Sequence, residues 1–99
     1  MSDKFKDIKL DLLFEAILSL GTHEECRRFF DDLCTVQELR ALSQRMQVAK
    51  MLSDHKVYND IVVETGASTA TISRVNRSLN YGSDGYRAVL ERLSEKEEQ

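Results

Sequence analysis

The chain has no proline and no tryptophan, and only four glycines and two cysteines among its 99 residues. Proline and glycine punctuate turns, so their scarcity argues against a hairpin-rich β fold and for long helices. No apolar run approaches the roughly 20 residues that cross a bilayer, so no membrane partner is expected. The first eleven residues alternate acids and bases and lack the apolar core of a secretory leader. The expected location is therefore cytoplasmic. Thiols stay reduced there, and a Cys26–Cys34 disulfide is not expected. His23, Cys26, Cys34 and His55 offer metal-ligating chemistry, but zinc ligands come in close pairs and these do not. A cysteine nucleophile would need a neighbouring base and an orienting group. No such base is identifiable, and neither paired carboxylates nor a phosphate loop can be placed. The chain reads as a non-enzyme with no metal and no cofactor.

The 41% hydrophobic content is too high for a disordered chain, and the length holds one core. A single domain over 1–99 is expected. Asp3 is positioned to cap a helix running to about Leu20. Phe5, Ile8, Leu10, Leu12, Leu13, Phe14, Ala16, Ile17 and Leu18 cover more than half of its circumference. A surface helix shows a narrower stripe, so a second subunit is the natural supplier of cover. Thr22 with Glu25, and Thr35 with Glu38, are capping boxes that open a second and a third helix. The third runs to about Ser53, with Leu39, Leu42, Met46, Ala49 and Leu52 on one face. Val57–Glu64 reads as a short helix with Val57 and Ile61 inward and Val62 a further candidate, although Ile61-Val62-Val63 would also suit a strand. Ser68 caps a helix to about Leu79. After a loop over 80–85 comes a last helix from Tyr86 to about Ser94, and a frayed tail over 95–99. The fold class is all-α with about six helices.

The net charge of −3 is an average over unlike parts. Residues 1–39 carry five basic against nine acidic side chains, a net of −4. Residues 40–79 carry six against three, a net of +3, and residues 80–99 carry three against five, a net of −2. The basic segment, with Arg45, Lys56, Arg74 and Arg77, coincides with two short helices joined around Gly66. That pairing, over about 57–79, is the helix-turn-helix pattern. Ile72, Val75 and Leu79 share one side of its second helix. Thr69, Ala70, Ser73 and Arg77 share the other, flanked by Arg74 and Asn76. Short leading residues let a helix approach base edges in the major groove. Ser68, Thr69 and Ser73 offer hydroxyls, and the arginines reach phosphate or guanine. A plain helical hairpin would carry the same Ser and Thr as caps and surface groups. However, a Ser/Thr cluster lowers helix propensity, and groove contact is one thing that would reward it.

Gly66-Ala67-Ser68-Thr69-Ala70-Thr71-Ile72-Ser73-Arg74, followed by Asn76 and Ser78-Leu79, resembles the reading-head helix of the tryptophan repressor superfamily. Thr35, Glu38, Ala41-Leu42 and Arg45 resemble the long helix that precedes it. The resemblance covers about 33–79 and is nearest to the YerC/YecD-like group of Gram-positive bacteria. It implies an intertwined homodimer that regulates transcription, as a repressor, by placing two heads on double-stranded DNA. It also implies that Ser68, Thr69, Ala70 and Ser73 lie at or near the bases and Asn59 near the backbone. Arg74, Arg77 and Lys56 complete the expected contact set.

Thr35, Arg45, Arg74 and Ser78 match positions around the family's tryptophan pocket, which makes them an effector-site expectation. Val75 stands where the family has a glycine against the indole, and its isopropyl group fills that space. Tryptophan is accordingly not expected as corepressor. Val62 and Val63 replace polar positions, so fewer phosphate contacts are expected from the first motif helix. The alternative reading is a helical protein-interaction module of the same fold that does not read DNA.

Overall fold

The structure, a computed structural model, describes residues 3–97. A 3-10 turn at Asp3–Phe5 precedes six α-helices. These are α1 (Asp11–Leu18), α2 (His23–Leu33), α3 (Val36–Ser53), α4 (Tyr58–Thr65), α5 (Thr69–Tyr81) and α6 (Gly85–Glu97). No strand occurs among the described residues. The chain divides into two compact units, Met1–Leu39 and Arg40–Gln99, with α3 running through the junction.

The single helix expected from Asp3 to Leu20 is broken. Ile8 N–H closes the first turn on the Phe5 carbonyl at 3.1 Å, and α1 starts only at Asp11. A continuous helix would stack Asp7 over Asp11, and like charges four apart destabilise it by about 0.2–0.5 kcal/mol. With the break, Asp11 sits in the first turn of α1, where the helix dipole favours a carboxylate.

The Thr35 capping box closes reciprocally, whereas in the Thr22 motif the glutamate reaches past the cap to the residue before it. Glu25 N–H donates to Thr22 Oγ1 at 3.1 Å, while Glu25 Oε1 accepts from Gly21 N–H at 2.7 Å. Glu38 N–H donates to Thr35 Oγ1 at 3.1 Å, and Thr35 N–H returns a bond to Glu38 Oε1 at 2.8 Å. The Thr35 N–H, and then its hydroxyl, hold the Glu38 carboxyl below its ordinary value of 4.5. A lowered carboxylate pKa stabilises the start of α3 above the ordinary value, and that stabilisation is lost as pH falls through the lowered one. Titrating Glu38 by carboxyl NMR should give a lower midpoint in the parent chain than in Thr35→Val. A midpoint that stays the same or falls in Thr35→Val would contradict the box as drawn.

No side chain among residues 4–39 is buried. Leu12 is 79% exposed and Leu18 83% exposed, although both lie on the most apolar helix of the chain. The core lies in the other unit, where Val48, Ala49, Ile61, Ala67, Ile72, Val75, Leu79 and Leu90 cluster. The expected inward face of α3 is therefore only partly right. Ala49 is buried and Leu52 packs against the core, but Leu42 is exposed and Val48 takes the central place. Val57 also differs from expectation, because it is the N-cap residue of α4 and largely exposed.

The C-terminal helix outruns its expected end. Residues 95–97 are helical, not frayed, and 98–99 lie outside the described residues. Glu and Lys are good helix formers, and Lys96 sits in the last turn, where a cation suits the dipole. Similarly, α5 extends through Tyr81, which shortens the loop to 82–84.

Candidate nucleic-acid interface

The motif begins at the end of α3. His55 takes a left-handed backbone (φ 63), its N–H donates to the Leu52 carbonyl, and Lys56 N–H donates to Met51. This pair of bonds is a Schellman stop, which turns the chain into α4. Lys56 and Asn59 follow, both exposed.

The α4–α5 turn is tied at each residue. Gly66 has φ 72 and donates its N–H to Val62 at 2.9 Å. A side chain there would face the left-handed penalty of roughly 1–2 kcal/mol. Thr65 Oγ1 donates to the Ile61 carbonyl at 2.7 Å and accepts from Ala67 N–H at 3.1 Å. Gln44 reaches over from α3, its Nε2 donating to the Thr65 carbonyl at 3.1 Å. Ala67 is buried and fastens the turn to the core beside Ile61 and Ile72. Ser68 then caps α5, accepting from Thr71 N–H at 3.1 Å while its hydroxyl donates to Thr71 Oγ1 at 3.1 Å.

The inner side of α5 is Ile72, Val75 and Leu79. Two stripes with the same four-three-four spacing run along its outer side. One is Thr69, Ser73, Asn76 and Asn80. The other is Ala70, Arg74, Arg77 and Tyr81. All eight are exposed except Asn76, which is half-buried. Neither Arg74 nor Arg77 forms an ion pair among the described residues, whereas Lys50 is held by Asp54 at 3.0 Å. Thr69 and Ala70 lie ahead of the first bond of the helix, Ile72 N–H to the Ser68 carbonyl at 3.0 Å. Leading N–H groups and the helix dipole together attract phosphate. The motif thus offers an anion-attracting helix start, a hydroxyl and amide stripe, and a basic stripe.

The Trp repressor protein family model matches residues 8–94. The chain belongs to this family. YerC of Bacillus subtilis (strain 168), described as uncharacterized, is 57% identical over 95 residues, covering 96% of this chain and 91% of YerC. A crystal structure from Staphylococcus aureus, described as a candidate Trp repressor, is 53% identical with a TM-score of 0.88. A TrpR-like protein from Eubacterium eligens is 58% identical with a TM-score of 0.87. Each comparison covers 94% of this chain and 96% of the other. The Trp repressor family is a DNA-binding regulator fold and not an enzyme family. No described helix is long and apolar enough to cross a membrane.

The effector-site residues divide by environment. Val75 is 3% exposed and packed into the core cluster. Thr35 is committed to the α3 cap. Arg45 is exposed, with its Nε on the Ala41 carbonyl one turn earlier at 3.3 Å. Arg74 and Ser78 are exposed one turn apart on α5.

Gln44, Asn80 and Arg87 are the supporting residues that the sequence did not reveal. Their bonds join residues 21, 8 and 7 positions apart, and no local pattern marks such pairs.

Proposed function

We propose that the protein is a DNA-binding transcriptional regulator, a repressor, that acts as a homodimer and places α5 of each protomer in the major groove. Its supporting observation is the outer surface of α5, with small and hydroxyl-bearing residues at the leading end and two unpaired arginines behind. Ser68, Thr69, Ala70 and Ser73 approach base edges. Arg74 and Arg77 take phosphate or guanine, and Lys56 and Asn59 meet the backbone beside α4. The homodimer is supported by residues 4–39, which expose Phe5, Leu12, Phe14 and Leu18 and bury nothing. Burying one such side chain contributes about 1.5–3 kcal/mol. A second copy supplies the missing cover, and 1–99 then works as one domain in the cytoplasm. Titrating salt against binding of a random-sequence duplex tests this reading. Affinity should fall linearly on logarithmic axes, by about 0.9 decades per decade of salt for each phosphate neutralised. A flat dependence would contradict it.

Tryptophan does not serve as the corepressor in this reading. Valine at 75 is already packed, and forcing a ring against it costs about 1–3 kcal/mol or more. Calorimetric titration with L-tryptophan is expected to give no saturable heat. Tight stoichiometric binding would overturn the assignment.

One observation favours a second reading, a protein-interaction module. Val63 on the first motif helix is 76% exposed and its N-cap residue Val57 62% exposed, whereas Val62, expected with Val63 at such an interface, packs against the core. A stable protein partner that competes for these valines, together with no duplex binding, would select it.

A further inference from the structure

A chain of side-chain hydrogen bonds runs from α6 onto the reading helix. Arg87 Nε donates to the Leu79 carbonyl at 2.8 Å, and Arg87 Nη2 donates to Asn80 Oδ1 at 3.2 Å. Asn80 Nδ2 donates in turn to Asn76 Oδ1 at 3.0 Å and to the Asn76 carbonyl at 2.9 Å. Guanidinium has donors only, whereas a carboxamide has one accepting end and one donating end. Asn80 is therefore oriented from both sides: the Arg87 guanidinium takes its oxygen, and the Asn76 backbone carbonyl takes its NH2. Asn80 is left to present N–H groups to Asn76, so Asn76 must accept through its oxygen. The end of Asn76 that remains is its NH2, which carries two donors. Its place is fixed too, because Asn76 follows Thr69 and Ser73 on one stripe of α5. Phosphate oxygens are acceptors only, so a carboxamide presenting its oxygen would repel where one presenting NH2 binds.

We propose that Asn76 donates from its side-chain NH2 to a DNA phosphate, and that Asn80, held by Arg87 on one side and the Asn76 carbonyl on the other, sets this polarity, with Arg87 a positioning residue that reinforces it. The inference rests on the DNA-binding reading above and adds a contact to it, together with the residues that orient the contact. Arg87 touches no DNA. It anchors at the C-terminal end of α5, where it also satisfies the Leu79 carbonyl. Because phosphate carries no base identity, the contact strengthens binding equally across sequences.

The test is a double-mutant cycle on affinity for a labelled random-sequence duplex of about three helical turns, as a dimer with two heads would require. Asn76→Ala should weaken binding about tenfold, the loss of a hydrogen bond to a charged group. Asn80→Ala should weaken it by a smaller factor, because Asn76 then rotates freely. In the Asn76→Ala background, Asn80→Ala should change nothing further. Arg87→Lys should restore much of the affinity that Arg87→Ala loses. Should Arg87→Ala fail to fold, the Asn76 and Asn80 cycle decides alone. Effects that multiply independently, or unchanged affinity in Asn76→Ala, would overturn the relay and leave the DNA-binding reading standing. A parent chain that binds no duplex at any salt would overturn both.

Discussion

The Leu12→Glu, Leu18→Glu double variant is expected to be monomeric in solution and to lose most of its duplex affinity. Both side chains are largely exposed in a single protomer, at 79% and 83%. If nothing covered them, such surface changes would stay within about 0.5 kcal/mol. In the proposed homodimer, each protomer loses two buried leucines, worth about 1.5–3 kcal/mol apiece. Each also gains two carboxylates that must remain hydrated or be buried unpaired. The two substitutions lie on different sides of α1, so a dimer covering either side is affected. Light scattering on the eluting protein reads the mass directly. A variant that keeps twice the chain mass at micromolar concentration would remove α1 from the interface.

Arg74→Ala with Arg77→Ala should weaken duplex binding more than any other pair of changes on α5. Both arginines are exposed and take part in no ion pair among the described residues, so the fold does not depend on their charge. Thermal unfolding should therefore move little. Every phosphate contact removed lowers the salt slope by about 0.9, and a two-headed dimer presents each arginine twice. An arginine that instead reads guanine costs about 1–3 kcal/mol, and its loss relaxes the base preference at that position. The two outcomes are separable: phosphate loss changes the slope for all sequences, whereas base loss changes the ranking among them. An unchanged slope together with an unchanged ranking would show that this stripe does not meet DNA.

The amount of this that could be read from the sequence depended on how local the determining interactions are. The caps at Thr22 and Thr35 involve residues three apart and form as expected, although only the Thr35 box closes reciprocally on its own cap residue. Ile72, Val75 and Leu79 lie inside and Thr69, Ala70, Ser73 and Arg77 outside, because helical spacing alone divides them. The helix expected from Asp3 is interrupted before Asp11, because apolar periodicity marks a stripe but not the point at which the backbone leaves the helix. On α3, Leu42 and Val48 exchanged roles, because periodicity identifies an apolar stripe without saying which neighbour covers which part of it. The turn held by Gln44 and the Arg87–Asn80–Asn76 relay were not legible, because each depends on another helix arriving at the right place. Val75 is packed in the core with Ile72 and Leu79, as the spacing places it.

The net charge of −3 first weighs against DNA, yet the segment from 40 to 79 that carries α4 and α5 has a net of +3. Acidic ends weaken the sequence-independent attraction to phosphate, and more of the discrimination then falls to the outer stripes of α5. Selection of bound sequences from a random duplex library by the full chain tests this claim most directly. The expected result is a two-fold-symmetric consensus whose half-sites lie about one helical turn, or a multiple of it, apart. A library that shows no enrichment, or an enriched site without two-fold symmetry, would contradict it.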